Sequence, residues 1–253
     1  MGFIPMTSAE LGRNLSPFHV AKTQCNILIL LQRGGSNVSL IQAFHEGGIM
    51  MYPILLLGIS GLAIVADRVQ VLYFKSNINK EHFFKSLTAH LLKGDLEGMI
   101  LVCDQNPAPL SKVVKTCLIR VINKGKDSDI QAALDEGAMT EVPHLEKRIG
   151  FLAVIGNVAT LVGLLGTITG LIQSFAAVAN ADAATKAAEL TKGISEAMNC
   201  TAFGLIVAVP AVIIYSVLQN RAQHLIDDIN EISIRTFNFI LANRERFGIP
   251  EKD

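Results

Sequence analysis

Residues 150–179 read GFLAVIGNVATLVGLLGTITGLIQSFAAVA, inside a run of 33 residues between Arg148 and Asp182 that carries no formal charge. A helix crosses the hydrocarbon core of a bilayer with about 20 apolar residues. The run is too long for one simple span and too short for two with a turn, so it predicts one long helix. Two further uncharged stretches accompany it, 20 residues between Glu46 and Asp67 and 24 between Glu196 and Arg221. All three are apolar around the whole helix instead of along one stripe, which separates membrane spans from helices lying on a soluble core. The composition agrees: 17% of residues are charged, where a soluble domain carries about 25%, and the mean hydropathy is +0.41.

The expected fold is therefore all-α, an integral membrane protein with three transmembrane helices and long helices extending into the cytoplasm. The division runs as an N-terminal segment 1–46, a first span 47–74, a helical domain 75–149, a second span 150–179, a loop 180–192, a third span 193–219 and a C-terminal helix 220–253. Basic residues orient it. Segment 1–46 holds three Lys and Arg, segment 75–149 holds eleven, loop 180–195 two and tail 220–253 five. The N-terminus is expected outside and the C-terminus inside, in the cytoplasm. Residues Asn26–Leu31 form too short an apolar run, too far from the start, for a signal peptide.

Outside the spans the pattern turns amphipathic. Val38, Ile41 and Phe44 suggest an interfacial helix over Val38–His45. Phe83, Phe84, Leu87 and Leu91, then Val113, Val114, Cys117, Leu118 and Val121, recur at helical spacing, with breaks at Gly94, Asn106–Pro109 and Gly125. Asp127-Ser128-Asp129 reads as a helix start, and that helix is expected to run on into the second span, kinked at Pro143. The tail carries a stripe of Leu225, Ile229, Ile232, Thr236 and Phe239. Four cysteines (25, 103, 117 and 200) form no CxxC pair; Cys103 and Cys117 are expected as reduced thiols and Cys200 as a small apolar filler. No basic patch with interleaved aromatics points to nucleic acid, and no cofactor or metal cluster and no nucleophile–base pair points to an enzyme.

Inside the second span, Gly156, Thr160, Gly163, Thr167, Gly170, Ser174 and Ala177 are spaced 4-3-4-3-4-3, which places them on one helix face. The third span repeats the pattern in Ala197, Thr201, Gly204, Ala208 and Ala211. Small residues let helices pack closely in a membrane, and that reading covers Gly156, Gly163, Gly170, Ala197, Gly204 and Ala208. It explains the hydroxyls of Thr160, Thr167, Ser174 and Thr201 less well. A ladder of hydroxyls offers water and protons polar contacts without a fixed charge to trap them. Glu196, five residues before Thr201, is either a first-turn residue favoured by the helix N-terminus or an acidic group at the mouth of such a path. The six histidines all lie outside the spans. With no titrating group near the midplane, the chain reads as half of a proton path, the other half coming from a partner.

The run Leu161–Phe175 resembles the second-span motif of ExbB and TolQ, Gly193–Ala211 their third-span motif, and Gly47–Ile54 followed by Asp67-Arg68 their first span. The likeness to the MotA/TolQ/ExbB family covers about residues 47–240. It implies a homo-pentamer around a dimer of a single-span ExbD/TolR-like protein carrying the missing aspartate, and it admits a TonB/TolA-like energy transducer as a further partner. On that resemblance Thr167 and Thr201 correspond to pore threonines and Glu196 to the third-span glutamate. Asn199-Cys200 and the long N-terminal segment depart from the pattern. A flagellar MotA-type protein would have a fourth span. The function implied is a proton-channel stator subunit; the alternative is a non-conducting membrane scaffold whose seams only pack helices.

Overall fold

The computed structural model describes residues 47–76, 80–180, 182 and 184–243. The expected helix over Val38–His45, Cys25 and the end of the tail lie outside these residues. Among the described residues seven α-helices follow one another: α1 Met51–Val69, α2 Lys80–Leu92, α3 Leu96–Gln105, α4 Pro109–Ile122, α5 Asp127–Glu146, α6 Ile149–Asn180 and α7 Lys186–Ala242. A π-helical turn, Gln70–Lys75, continues α1. No strand occurs among the described residues. Helices α1, α6 and α7 are long and apolar enough to cross a membrane, the three expected. The described residues fall into two compact units, one within 47–65 and 151–217, the other within 66–150 and 218–243.

In the first unit, Met51 and Ile54 of α1 pack on Cys200 of α7 together with Val162, Phe203 and Val207. Helix α1 also lies against Val207 through Gly58 and against Ile155 through Gly61. The outer faces stay apolar and uncovered: Leu56, Leu62 and Leu161 are 68%, 69% and 63% exposed. A soluble core would bury such residues, whereas hydrocarbon satisfies them. Proline is placed where a membrane helix tolerates it. Pro53 stands in the first turn of α1, where no intrahelical donor is needed. Pro210 stands within α7, which continues through it although the Ile206 carbonyl loses its usual donor.

Helices α6 and α7 run antiparallel, joined where their backbones nearly touch. A Cβ on Gly163 would stand 3.3 Å from the Cys200 carbonyl oxygen and 3.4 Å from the Thr201 Cα. One on Gly204 would stand 2.8 Å from the Ala159 carbonyl oxygen, and one on Gly170 3.1 Å from the Ala197 Cβ. At one end a Cβ on Gly156 would stand 3.3 Å from the Ala208 carbonyl oxygen, and at the other Gly193 lies against Ser174. A larger side chain at these glycines would press on backbone or side-chain atoms of the facing helix, so they lie where α6 and α7 come close within one subunit.

Two connections differ from expectation. Helix α5 does not run into α6: Lys147 turns extended (ψ 133) and Arg148 takes a left-handed φ of 63. That ends the helix the way a glycine often does, four residues beyond Pro143. The second difference lies in the loop expected over 180–192, which is helical from Lys186 onward. Its Ala-, Leu- and Glu-rich sequence favours helix despite the charges that had marked it as a loop.

The second unit has a water-soluble character. Helix α4 buries Leu110, Val113, Val114, Cys117, Leu118 and Val121, one stripe at 3.6-residue spacing. Gly137 of α5 brings that helix close, since a Cβ there would lie 3.2 Å from the Val113 Cα. Asp95 accepts from the Gly98 amide at 2.9 Å and caps α3. In α7, Leu225, Ile229, Ile232 and Thr236 are buried as the stripe requires, and Ile240 takes the place expected for Phe239, which is half-buried. Polar ties fix the edges. Lys80 bonds Asp228 at 2.6 Å and Glu231 at 2.9 Å, which raises the Lys80 pKa and lowers that of Glu231. Arg68, buried, donates to Asp67 at 2.7 Å and to the His144 carbonyl at 3.3 Å, one of the end carbonyls that α5 leaves unpaired.

Two outcomes test this packing. Gly163→Leu should abolish accumulation of the folded subunit, because overpacking by even one or two methylenes costs about 1–3 kcal/mol and here backbone blocks the space. Gly150→Leu, whose Cβ would meet nothing within 4 Å, should accumulate normally; equal yields of the two proteins would refute the close contact. Burial pushes the Cys103 and Cys117 thiols up to about 12 from an ordinary 9.0. At pH 8 the thiolate that attacks alkylating agents is then about a thousandfold scarcer than in a free thiol. Iodoacetamide should leave both unmodified until the protein is denatured, and rapid labelling of the native protein would contradict the burial.

Candidate functional site

The site lies in the first unit, on the paired helices α6 and α7. Of the seven residues on the 4-3 ladder, Gly156, Gly163, Gly170 and Ser174 are buried, Thr167 is half-buried, and Thr160 and Ala177 are exposed. The buried line runs instead through Gly156, Ala159, Gly163, Gly166, Gly170 and Ser174. A seven-residue repeat drifts about 20° per heptad on a straight α-helix, so a strict ladder leaves the contact line over three heptads. The single face expected from spacing therefore divides into a packed line and an open flank.

The hydroxyls divide with it. Ser174 donates to the Gly170 carbonyl at 2.6 Å from a buried seat opposite Gly193. Thr201 donates across the helix pair to the Gly163 carbonyl at 3.1 Å, tying α7 to α6 at their closest approach. Thr160 donates to Gly156 O at 3.0 Å and Thr167 to Leu164 O at 2.6 Å, both within α6. These two bonds consume the donors and turn the oxygen lone pairs outward as acceptors. Of the proposed path residues, Thr160 and Thr167 share the open flank, while Ser174 and Thr201 belong to the seam. Ala197, Gly204 and Ala208 are buried along the facing line of α7.

Glu196 is not a first-turn residue. Helix α7 begins at Lys186, and a helix terminus acts on charge only within its first turn. The Glu196 side chain, half-buried, instead places its Oε1 against Gly48, just before α1. One turn further, the Cys200 thiol donates to the Gly47 carbonyl at 3.2 Å. It sits in a gap left by Gly166, where a Cβ would come 2.6 Å from Sγ. Cys200 is thus the small buried residue of the apolar cluster that was expected, and in addition it donates to the start of α1. Gly166 and the contact of Cys200 with Gly47 are not marked by the 4-3 ladder, on which neither residue falls. The signal available was the 3-4 run Gly163, Gly166, Gly170. Among the described residues no three His, Cys, Asp or Glu side chains gather as metal ligands would.

Comparison with known proteins places this geometry. The chain is 27% identical over 199 residues to a putative biopolymer transport protein ExbB homolog of Methanothermobacter thermautotrophicus, covering 78% of this chain and 69% of that protein. It is 38% identical over 108 residues to the Tol-Pal system protein TolQ of Haemophilus influenzae, 43% of this chain and 46% of that one. It is 44% identical over 72 residues to the biopolymer transport protein ExbB of Salmonella typhimurium, 28% of this chain and 29% of that one. Among solved structures, C. jejuni MotAB shares the fold, with a TM-score of 0.53 at 15% identity over 92% of this chain and 93% of that one. The sequence profile of the MotA/TolQ/ExbB proton channel family matches residues 105–231, half of the chain and both seam-bearing helices. With the glycine-joined contacts of α6 and α7 inside that match, the chain belongs to the MotA/TolQ/ExbB proton channel family.

Proposed function

We propose that this chain is a stator subunit of an inner-membrane motor that converts proton motive force into mechanical work on an envelope or outer-membrane process. Transport, not enzymatic catalysis, is its activity, and no cofactor takes part. In this reading the N-terminus is periplasmic and the C-terminus cytoplasmic. Five copies surround a dimer of a single-span ExbD/TolR-like protein whose transmembrane aspartate carries the proton, and a TonB/TolA-like transducer passes on the movement. Relatives named for biopolymer transport and for the Tol-Pal system support this role, as does the fold shared with a MotAB structure.

The observation that carries the proposal is the open flank of α6. Packing of α6 on α7 is complete through glycine, alanine, Ser174 and Thr201. Thr160 is exposed and Thr167 half-buried beside the seam, their hydroxyls bonded only within α6, in a stretch of 33 residues without a charge. In hydrocarbon such hydroxyls serve a polar neighbour or water better than lipid. Since no acid lies between Arg148 and Asp182, the titrating group belongs to the partner. The scaffold alternative draws on Ser174 and Thr201, whose hydroxyls are used in packing.

Thr167→Val separates the two, since it keeps shape and removes the acceptor. The expected result is an intact complex with proton-driven coupling reduced about tenfold or more; full coupling would favour the scaffold. The subunit reconstituted alone in liposomes should conduct protons poorly, and robust flux without a partner would overturn the half-path argument. Native mass spectrometry of the complex from its own membranes should find five copies with two of a small single-span protein. A monomer or dimer would remove the ring on which the mechanism depends.

A further inference from the structure

We propose that the Gly47–Gly48 turn is a positioning element for Glu196, holding that carboxylate in place through a three-helix joint completed by Cys200 and Gly166. The proposal rests on the reading of Glu196 as part of the proton path, but its geometry stands apart from that reading. Gly48 has a φ of +70, a left-handed conformation that costs glycine nothing and other residues something. The same residue lies so close to Glu196 that a Cβ would overlap Oε1. The conformation favours glycine, and a methyl group there would displace the end of the Glu196 side chain from its present position.

The contact does not stand alone. Glu196 and Cys200 are four residues apart on one face of α7, and they meet two successive glycines, Gly48 and Gly47. The Cys200 thiol is lodged between the Gly47 carbonyl, 3.2 Å away, and the bare backbone of Gly166. A side chain at Gly166 would push the thiol out, and a side chain at Gly48 would push the carboxylate out. Just past the turn, Met51 and Ile54 close over Cys200. The residues come from the start of α1, the middle of α6 and α7, 153 positions apart at the Gly47–Cys200 bond. A glutamate side chain left free samples several rotamers, and ordering it carries an entropic cost. Here the backbone of the turn confines it. A proton relay needs its carboxyl within hydrogen-bond reach of the next group, and the turn limits where that carboxyl can lie while adding no charge of its own.

The test uses the subunit in complex with its single-span partner and compares Gly48→Ala, Glu196→Asp, their combination, Cys200→Ala and Cys200→Ser. Two quantities are read: proton flux in proteoliposomes, and the rate of N-ethylmaleimide modification of Cys200, resolved from the other cysteines by peptide mass mapping. Gly48→Ala should cut flux about tenfold or more and speed Cys200 modification severalfold. Glu196→Asp shortens the side chain by one methylene and vacates the space the new methyl group fills. The double variant should therefore conduct better than Gly48→Ala alone. Cys200→Ala should lower flux, and Cys200→Ser, which keeps a donor, should restore most of it. Should Gly48→Ala fail to assemble, the Cys200 pair decides the matter by the same flux comparison. Unchanged flux and unchanged Cys200 modification in Gly48→Ala would overturn the proposal, as would equal losses in Cys200→Ala and Cys200→Ser. A wild-type complex without proton flux would refute the stator reading. In that event the modification rate alone settles the joint: faster in Gly48→Ala supports it, unchanged refutes it.

Discussion

The first unit depends on the distance at which two backbones can approach in hydrocarbon. Lipid tails are as apolar as leucine, so helices gain little by hiding apolar side chains from them; close van der Waals contact and interhelical hydrogen bonds hold them together. Gly163 and Gly204 permit that contact, with the Ala159 carbonyl 2.8 Å from where a Gly204 Cβ would be. Thr201 reaches the Gly163 carbonyl only because of it. Ser174 meets Gly193, and Cys200 reaches the start of α1, from the same register. The second unit is built differently, on amphipathic stripes and ion pairs such as Lys80 with Asp228 and Glu231, because water supplies the hydrophobic force there.

Close packing also sorts the hydroxyls by task. A hydroxyl inside the seam must spend its donor on a carbonyl, and Ser174 and Thr201 do so with Gly170 and Gly163. Those on the flank satisfy their donors within α6 and keep an acceptor outward. One stretch of sequence thus carries both the packed line and the open flank, and the step of about 100° between Ala159 and Thr160 puts the first on the packed line and the second on the flank. The scaffold and conduction readings concern different residues on one helix.

Much of this was legible in the sequence because charge is so costly in a membrane that its absence marks the spans unaided. The break before α6 was harder to see. Arg148 adopts a conformation usually left to glycine, and nothing in the residue type announces it. The start of α7 was placed late for a related reason. Lys186, Glu189 and Lys192 mark the edge of an uncharged stretch, not the edge of a helix. The site was half legible. A 4-3 ladder identifies a face, but helical drift decides which members are buried, and the ties from Cys200 to Gly47 and from Glu196 to Gly48 join residues about 150 positions apart.

The early start of α7 changes what Glu196 can be. In a first turn, the helix terminus would stabilise the carboxylate wherever its side chain pointed, and the residue's neighbours would matter little. In the third turn that support is gone, and what confines the group is what it touches. The touching residue is a glycine with a left-handed backbone, which contributes position and nothing else. A glycine pair ahead of the first span and a carboxylate ahead of the third thereby form one feature, and the short seam residue Cys200 connects that feature to the helix pair on which the unit is built.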